Sequence, residues 1–168
     1  MKRLLLALVV ILTWSCQQDK IGYVNNVRLM DGYKEKVAVE ERFAERRKAF
    51  DMKRDSISRQ FQMEAEAIEA QIQSMSQTKA QETYAALQQK GQQIGQQLQQ
   101  QEQQLQLMGQ ADMDSVVEKV KREITAFGKA NGYTYILGGG EGGSVLFGAE
   151  SKDLTDEILK VLNEEKQQ

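Results

Sequence analysis

The chain contains no histidine, no proline and a single cysteine, Cys16. Without histidine there is no imidazole metal site and no Ser-His or Cys-His nucleophile. With one thiol there is no disulfide within the chain, so stability must come from packing or from association. Without proline nothing forces a break in a long helix. Charge of one sign is also lacking: removing Lys2 and Arg3 from the 22 basic residues leaves 20 against 24 acidic ones, which does not suit a nucleic-acid binder.

What is present begins with Met1-Lys2-Arg3 and an apolar run from Leu4 to Trp14 that stops at "LTWSC". This has the length of a secretory signal and falls short of the roughly 20 apolar residues a membrane span needs. Residues 1–15 therefore read as a signal peptide of lipoprotein type. Cys16 is the lipidated residue of the mature N-terminus, and residues 16–20 form a tether; an ordinary cleaved signal with an incidental cysteine is the alternative. Either way the mature protein is expected to be exported, and on the first reading it carries a membrane anchor through lipid.

From Tyr33 to Phe127 only Gly91, Gly95 and Gly109 interrupt helix-forming residues. A run that long folds back on itself, so residues 33–129 read as a helical hairpin with its turn near residues 74–79, where Ser74, Ser76 and Thr78 offer capping oxygens. Seven-residue spacing supplies the seam. On the outgoing arm Phe43, Phe50 and Ile57 share one column, and Phe61, Ile68 and Met75 the adjoining one. On the returning arm the columns are Tyr84, Gly91, Leu98 and Leu105, and Leu87, Ile94, Gln101 and Met108. The glutamine-rich stretch 88–110 is thus one arm of a helix with a wet glutamine face, the alternative being a floppy low-complexity linker. Gly91 and Gln101 sit where large residues would pack, which predicts a weak, bendable seam.

The chain ends supply a small β-body, residues 21–32 and 130–168. "IGYVNNVRL" at 21–29 reads as a strand leading into the first helix, and "YTYILGG" (133–139) and "SVLFGA" (144–149) as two strands joined by a glycine connection. The final segment is an amphipathic helix, with Asp153 as N-cap and Leu154, Ile158, Leu159 and Leu162 on one side. The fold class is α+β: a long antiparallel helical hairpin of coiled-coil type projecting from a β-body with a C-terminal helix. One copy cannot bury Ile21, Tyr23, Val24, Ile136, Leu137, Val145, Leu146 and Phe147, so these strands point to an oligomer. Gly138-x-Gly140-x-x-Gly143 matches a dinucleotide-binding pattern in form only, because a β-type run and no helix follows it. Asp112 and Asp114 read as solvent-facing or capping. No catalytic residues, cofactor or metal are expected, and the chain does not read as an enzyme.

Two stretches, "IGYVNNVRLMDGY" (21–33) and "ANGYTYILGG" with "SVLFGAESKDLTDEILKVLN" (130–163), together with the order of parts, resemble the Skp/OmpH family of periplasmic chaperones. The resemblance implies a homotrimer whose β-body is built by strands of three subunits, with three helical tentacles around a cavity. Members hold unfolded outer-membrane proteins there without ATP. The rival reading is a structural envelope lipoprotein whose coiled coil acts as a spacer or scaffold.

Overall fold

The structure, a computed structural model, describes residues 19–164; the apolar leader and Cys16 lie outside them. It is an α+β chain with two compact units, Lys36–Val116 and the union of Met1–Glu35 with Val117–Gln168.

The first unit, the arm, holds most of two long helices, α2 (Lys34–Ile72) and α3 (Gln77–Ala130). The turn between them falls at residues 73–76, slightly ahead of the expected 74–79. Serine chemistry ends α2: the Ser74 amide and hydroxyl both donate to Gln71 O, at 3.0 and 2.8 Å. The residues 88–110 lie wholly within α3, so the glutamine-rich stretch is helical.

The spacing of the shielded residues differs from the expected heptads. Along α3 they recur every 11 residues, in the columns 80, 91, 102, 113, 124; 83, 94, 105, 116, 127; and 87, 98, 109, 120. A strict seven-residue column drifts about 20° per heptad around a straight helix, whereas 11 residues in three turns stay close to 3.6 per turn. Tyr84 and Met108, placed on the seam by heptad counting, are consequently exposed, and Thr83 and Gly109 take the shielded positions. Phe50 and Leu105 are buried, while Phe43, Ile57, Phe61, Ile68, Leu87, Ile94 and Leu98 are half-buried.

Two of the three glycines are sockets for aromatic rings. A Cβ on Gly109 would stand 2.5 Å from the Phe43 ring, and one on Gly91 3.0 Å from the tip of Phe61. Phe43 to Phe61 and Gly91 to Gly109 are the same interval in sequence, so the two sockets fix one antiparallel register. Gly91 is therefore filled from across the hairpin, contrary to the expected gap. Gly95 points to open space, with nothing within 4 Å of a Cβ. Polar pairs repeat the register: Arg46 with Asp112 (3.1 Å), Arg47 with Glu102 (3.3 Å), Lys53 with Gln101 (3.0 Å), and Lys90 with Glu64. Asp112 thus pairs across the arm, whereas Asp114 is exposed.

The second unit, the body, contains β1 (Ile21–Asn25), α1 (Asn26–Gly32), β2 (Tyr135–Gly139) and α4 (Thr155–Glu164). The strand expected over 21–29 ends at Asn25, because the Asn25 side chain accepts the Arg28 amide at 3.1 Å and starts α1. The strands β1 and β2 pair in parallel, from Ile21 opposite Tyr135 to Asn25 opposite Gly139. The second glycine-linked strand, 144–149, does not form. Gly140 and Gly142 take φ of +85° and +74°, turning the chain so that only Val145 bridges Gly139, in parallel. Beyond it Gly148 is drawn under the Tyr23 ring, whose hydroxyl donates to Gly148 O at 3.3 Å. A Cβ there would lie 2.4 Å from that ring. Holding Gly148 in this way carries Leu146 and Phe147 away from the sheet.

On its other edge β1 meets the start of α4. Tyr23 bridges Asp153, and the Leu154 amide donates to Tyr23 O at 2.8 Å. Leu154, Ile158 and Leu162 are buried with Val24, Leu29 and Tyr33. Asn163 closes the bend between α1 and α2: its Nδ2 donates to Gly32 O (3.1 Å) and its Oδ1 accepts from the Lys34 amide (2.9 Å).

The three arm glycines should respond in opposite directions. Gly95→Ala should stabilise by about 0.5–1 kcal/mol, the helix-propensity gain at an open site. Gly109→Ala should cancel that gain and destabilise by about 1 kcal/mol, because the Phe43 ring must move. Gly91→Ala should lie between. Thermal melts of the three variants check the order; equal gains for all three would refute the sockets.

Candidate binding surfaces of the body and the arm

Alternation along the two strands sorts their side chains. Gly22 and Val24 point inward and are buried, and Ile136 lies on the same side, with its Cδ1 3.2 Å from where a Cβ on Gly128 would be. Ile21 and Tyr23 of β1 stand opposite Tyr135 and Leu137 of β2 on the other face. Ile21, Tyr135 and Leu137 are exposed there, Tyr135 by 58%. Beside them Leu146 is 99% and Phe147 90% exposed. Two large apolar side chains thus stand almost fully in water on the loop that follows β2. Of the eight residues expected to form a trimer body, five (Ile21, Tyr23, Leu137, Leu146, Phe147) lie on this face or its neighbouring loop. Val24 is inside the subunit's own core, and Ile136 and Val145 are half-buried.

A polar buckle holds this face in place. Thr155, with no exposed surface, accepts the Asn25 amide on Oγ1 (2.9 Å) and donates the same hydroxyl to Asp153 Oδ1. Asp153 Oδ1 also accepts the Thr155 amide (2.9 Å), and Arg28 reaches Oδ2 at 3.2 Å. Asp153 thus stands just before α4, whose first residue is Thr155, with its side chain doing the capping work expected of it. Burial pushes the Asp153 carboxyl up. The Thr155 hydrogen bonds and the Arg28 charge outweigh it and hold the carboxyl below its usual range. Sequence reading found Asp153 as a cap, but Thr155 reads as an ordinary first-turn residue until β1 is known to lie beside it.

The arm carries two shallow apolar depressions. One, of about 380 Å³, has Phe50, Leu105 and Met108 as floor and Arg46, Lys53 and Gln101 around it. The other, of about 330 Å³, lies between Val39, Phe43, Gly109 and Met113. Exposed apolar residues are otherwise scattered on a polar surface, Met52, Met63 and Leu107 among them. Among the described residues no group of three or more Asp, Glu, His or Cys could hold a metal ion, and no helix is long and apolar enough to cross a membrane.

A long helical hairpin, a two-stranded parallel sheet, a C-terminal helix and exposed apolar side chains on one face of that sheet make up the fold. The family described as outer membrane protein (OmpH-like) matches residues 20–162, and the chain belongs to that family. Its fold is similar to the crystal structure of a protein proposed to be an outer membrane chaperone (OmpH-like) from Caulobacter crescentus CB15. The TM-score is 0.78 at 16% identity, covering 88% of this chain and 86% of that one. No curated protein matches the sequence.

Thr155→Val, nearly isosteric, should cost about 1–3 kcal/mol because it leaves the Asn25 amide and the Asp153 carboxylate short of a buried partner. A carboxyl held below its unfolded value stabilises fully above that value, so Asp153's contribution should be lost as pH falls below about 4. Denaturant melts between pH 3 and pH 7 should show Asp153→Asn less stable at neutrality and flatter in acid than the parent.

Proposed function

We propose that this protein is an ATP-independent holdase of the periplasm, which keeps unfolded outer-membrane proteins from aggregating and works as a homotrimer anchored through lipid on Cys16. The observation that carries the reading is membership of the OmpH-like family, together with the fold shared with a protein proposed to be an outer membrane chaperone. Physical features of the chain support it. An unfolded barrel protein exposes apolar segments that need shelter more than tight recognition, and the arm offers open apolar depressions edged by polar side chains. The exposed Leu146, Phe147, Tyr135 and Leu137 suit burial against other copies. A lipid on Cys16 needs more than one acyl chain for stable anchorage.

Suppression of aggregation of a denatured outer-membrane barrel protein by the purified protein tests the reading, with no nucleotide added. Protection is expected near one trimer per client. A spacer or scaffold would form the oligomer and leave aggregation unchanged.

Leu146→Ser with Phe147→Ser should convert the trimer to folded monomers in sedimentation equilibrium and lose most of the protection. A trimer that survives both substitutions would place the association elsewhere. Mass spectrometry of the native N-terminal peptide should show an acylated Cys16, and an unmodified cysteine would remove the anchor.

A further inference from the structure

Along α2 the kind of apolar residue follows its exposure. From Val39 to Ile72 every Val, Ile and Phe side chain is buried or half-buried. The large apolar side chains left in water over that stretch are both methionine, Met52 at 64% exposure and Met63 at 62%. Leucine is as good a helix former and of similar volume, so neither the helix nor the core asks for sulfur at these two places. Met52, Ser56, Arg59 and Met63 recur at helical spacing, which sets them in one stripe on one face, and all four are exposed. A shallow depression of about 590 Å³ includes Ser56, Arg59 and Met63. Solvent therefore reaches both methionines with the arm fully folded.

The remaining described methionines are more sheltered and supply an internal comparison. Met108 is 40% exposed, on the floor of its depression beside Phe50 and Leu105. Met30, Met75 and Met113 are half-buried. Met75 Sδ accepts the Thr83 hydroxyl at 3.9 Å, and Met113 lies beside Phe43 and Gly109. Oxidation of a thioether follows access to its sulfur, so the stripe on α2 is where an oxidant acts first.

We infer that Met52 and Met63 are a paired site of reversible oxidation by hydrogen peroxide, and that their oxidation loosens the arm's hold on an unfolded chain. The second half rests on the holdase reading above. In the forward step the thioether sulfur gives an electron pair to one peroxide oxygen. An S–O bond forms, the O–O bond breaks, and the proton passes to the departing hydroxide, which leaves as water. Sulfur is oxidised by two electrons and the peroxide reduced by two. In the reverse step, catalysed by a methionine sulfoxide reductase, two thiols supply the electrons and become a disulfide, and the sulfoxide oxygen leaves as water. Methionine is a flexible, polarisable contact that suits many partners, whereas its sulfoxide is polar. Oxidation thus turns the exposed large apolar side chains between Val39 and Ile72 polar and leaves the packed seam of Phe43, Phe50 and Phe61 untouched.

The test adds hydrogen peroxide to the mature protein and follows sulfoxide at each methionine by peptide mass spectrometry. Met52 and Met63 are expected to oxidise first, roughly threefold or more faster than Met108 and the three half-buried methionines. Protection of a denatured outer-membrane barrel protein should then require roughly fivefold more of the oxidised protein, because two apolar contacts have been lost. Methionine sulfoxide reductases of both epimer specificities, with dithiothreitol, should restore it. Met52→Leu with Met63→Leu should protect as the parent does and keep its protection in peroxide; both proteins retain Cys16, so its chemistry cancels. Thermal melts should not change on oxidation, as expected for exposed side chains. The inference is overturned if Met30, Met75 or Met113 oxidises as fast as Met52 and Met63, if the oxidised parent protects as well as the untreated one, or if the double variant loses protection in peroxide as the parent does. It is likewise overturned if oxidation lowers the melting temperature, since the two side chains would then be structural. Failure of the holdase reading is seen separately, as absence of protection by the untreated parent, and the order of oxidation then decides the site.

Discussion

The structure depends on one pairing, the parallel register of β1 on β2. Parallel neighbours cannot be joined by a tight turn and need a crossover. Here the crossover is the whole helical hairpin, which leaves at Asn25 and returns at Tyr135. The hairpin must accordingly bring the chain back in step with its starting point. Its two long helices are kept in step by rings seated in glycines, Phe43 at Gly109 and Phe61 at Gly91, and by cross-arm pairs such as Arg46 with Asp112. A glutamine-rich helix is adequate for this because the register is set by a few size-matched contacts and the remaining positions need only stay helical.

The body shows how few residues can close a fold when polar groups are well placed. Three short segments assemble around β1: β2 on one edge, Asp153 and Leu154 on the other, and α1 continuing from its end. The side chains of Thr155 and Asn163, both from α4, hold backbone groups at Asn25, Gly32 and Lys34. Each satisfies a donor or acceptor that would otherwise be lost at the end of a strand or helix. The core of Val24, Leu29, Tyr33, Ile158 and Leu162 is small, and apolar surface is left over on the opposite face of the sheet.

Much of this was legible in the sequence, for reasons that differ between elements. The hairpin was, because helix formers without proline and a recurring apolar column leave few alternatives, and the C-terminal helix was, from its one-sided Leu and Ile pattern. What escaped is what depends on partners distant in the chain. Heptad and 11-residue spacings coincide at Leu87, Gly91, Ile94, Leu98 and Leu105 and separate at Tyr84, Gln101 and Met108, so a short window cannot distinguish them. Gly91 looks like a gap until Phe61 is known to face it. "SVLFGA" has strand composition, but Tyr23 holds Gly148 and turns Leu146 and Phe147 outward, a contact between residues 125 positions apart. The exposed face was predicted as a set of eight residues; alternation along β1 already separates Val24 from Tyr23, although which of the two faces water depends on where α4 lies.

Closure of the body by Thr155 and Asn163 also imposes an order in time. A chain synthesised from its N-terminus presents β1 and α1 first, but their partners, β2 and then α4, arrive only after the full hairpin has emerged. The arm, built from contacts between neighbouring helices, can form as soon as its second helix appears, whereas the body must wait. Through that interval Val24 and Leu29 have no cover of their own, so the nascent protein passes through the same kind of exposed, apolar state that we propose it guards in other chains.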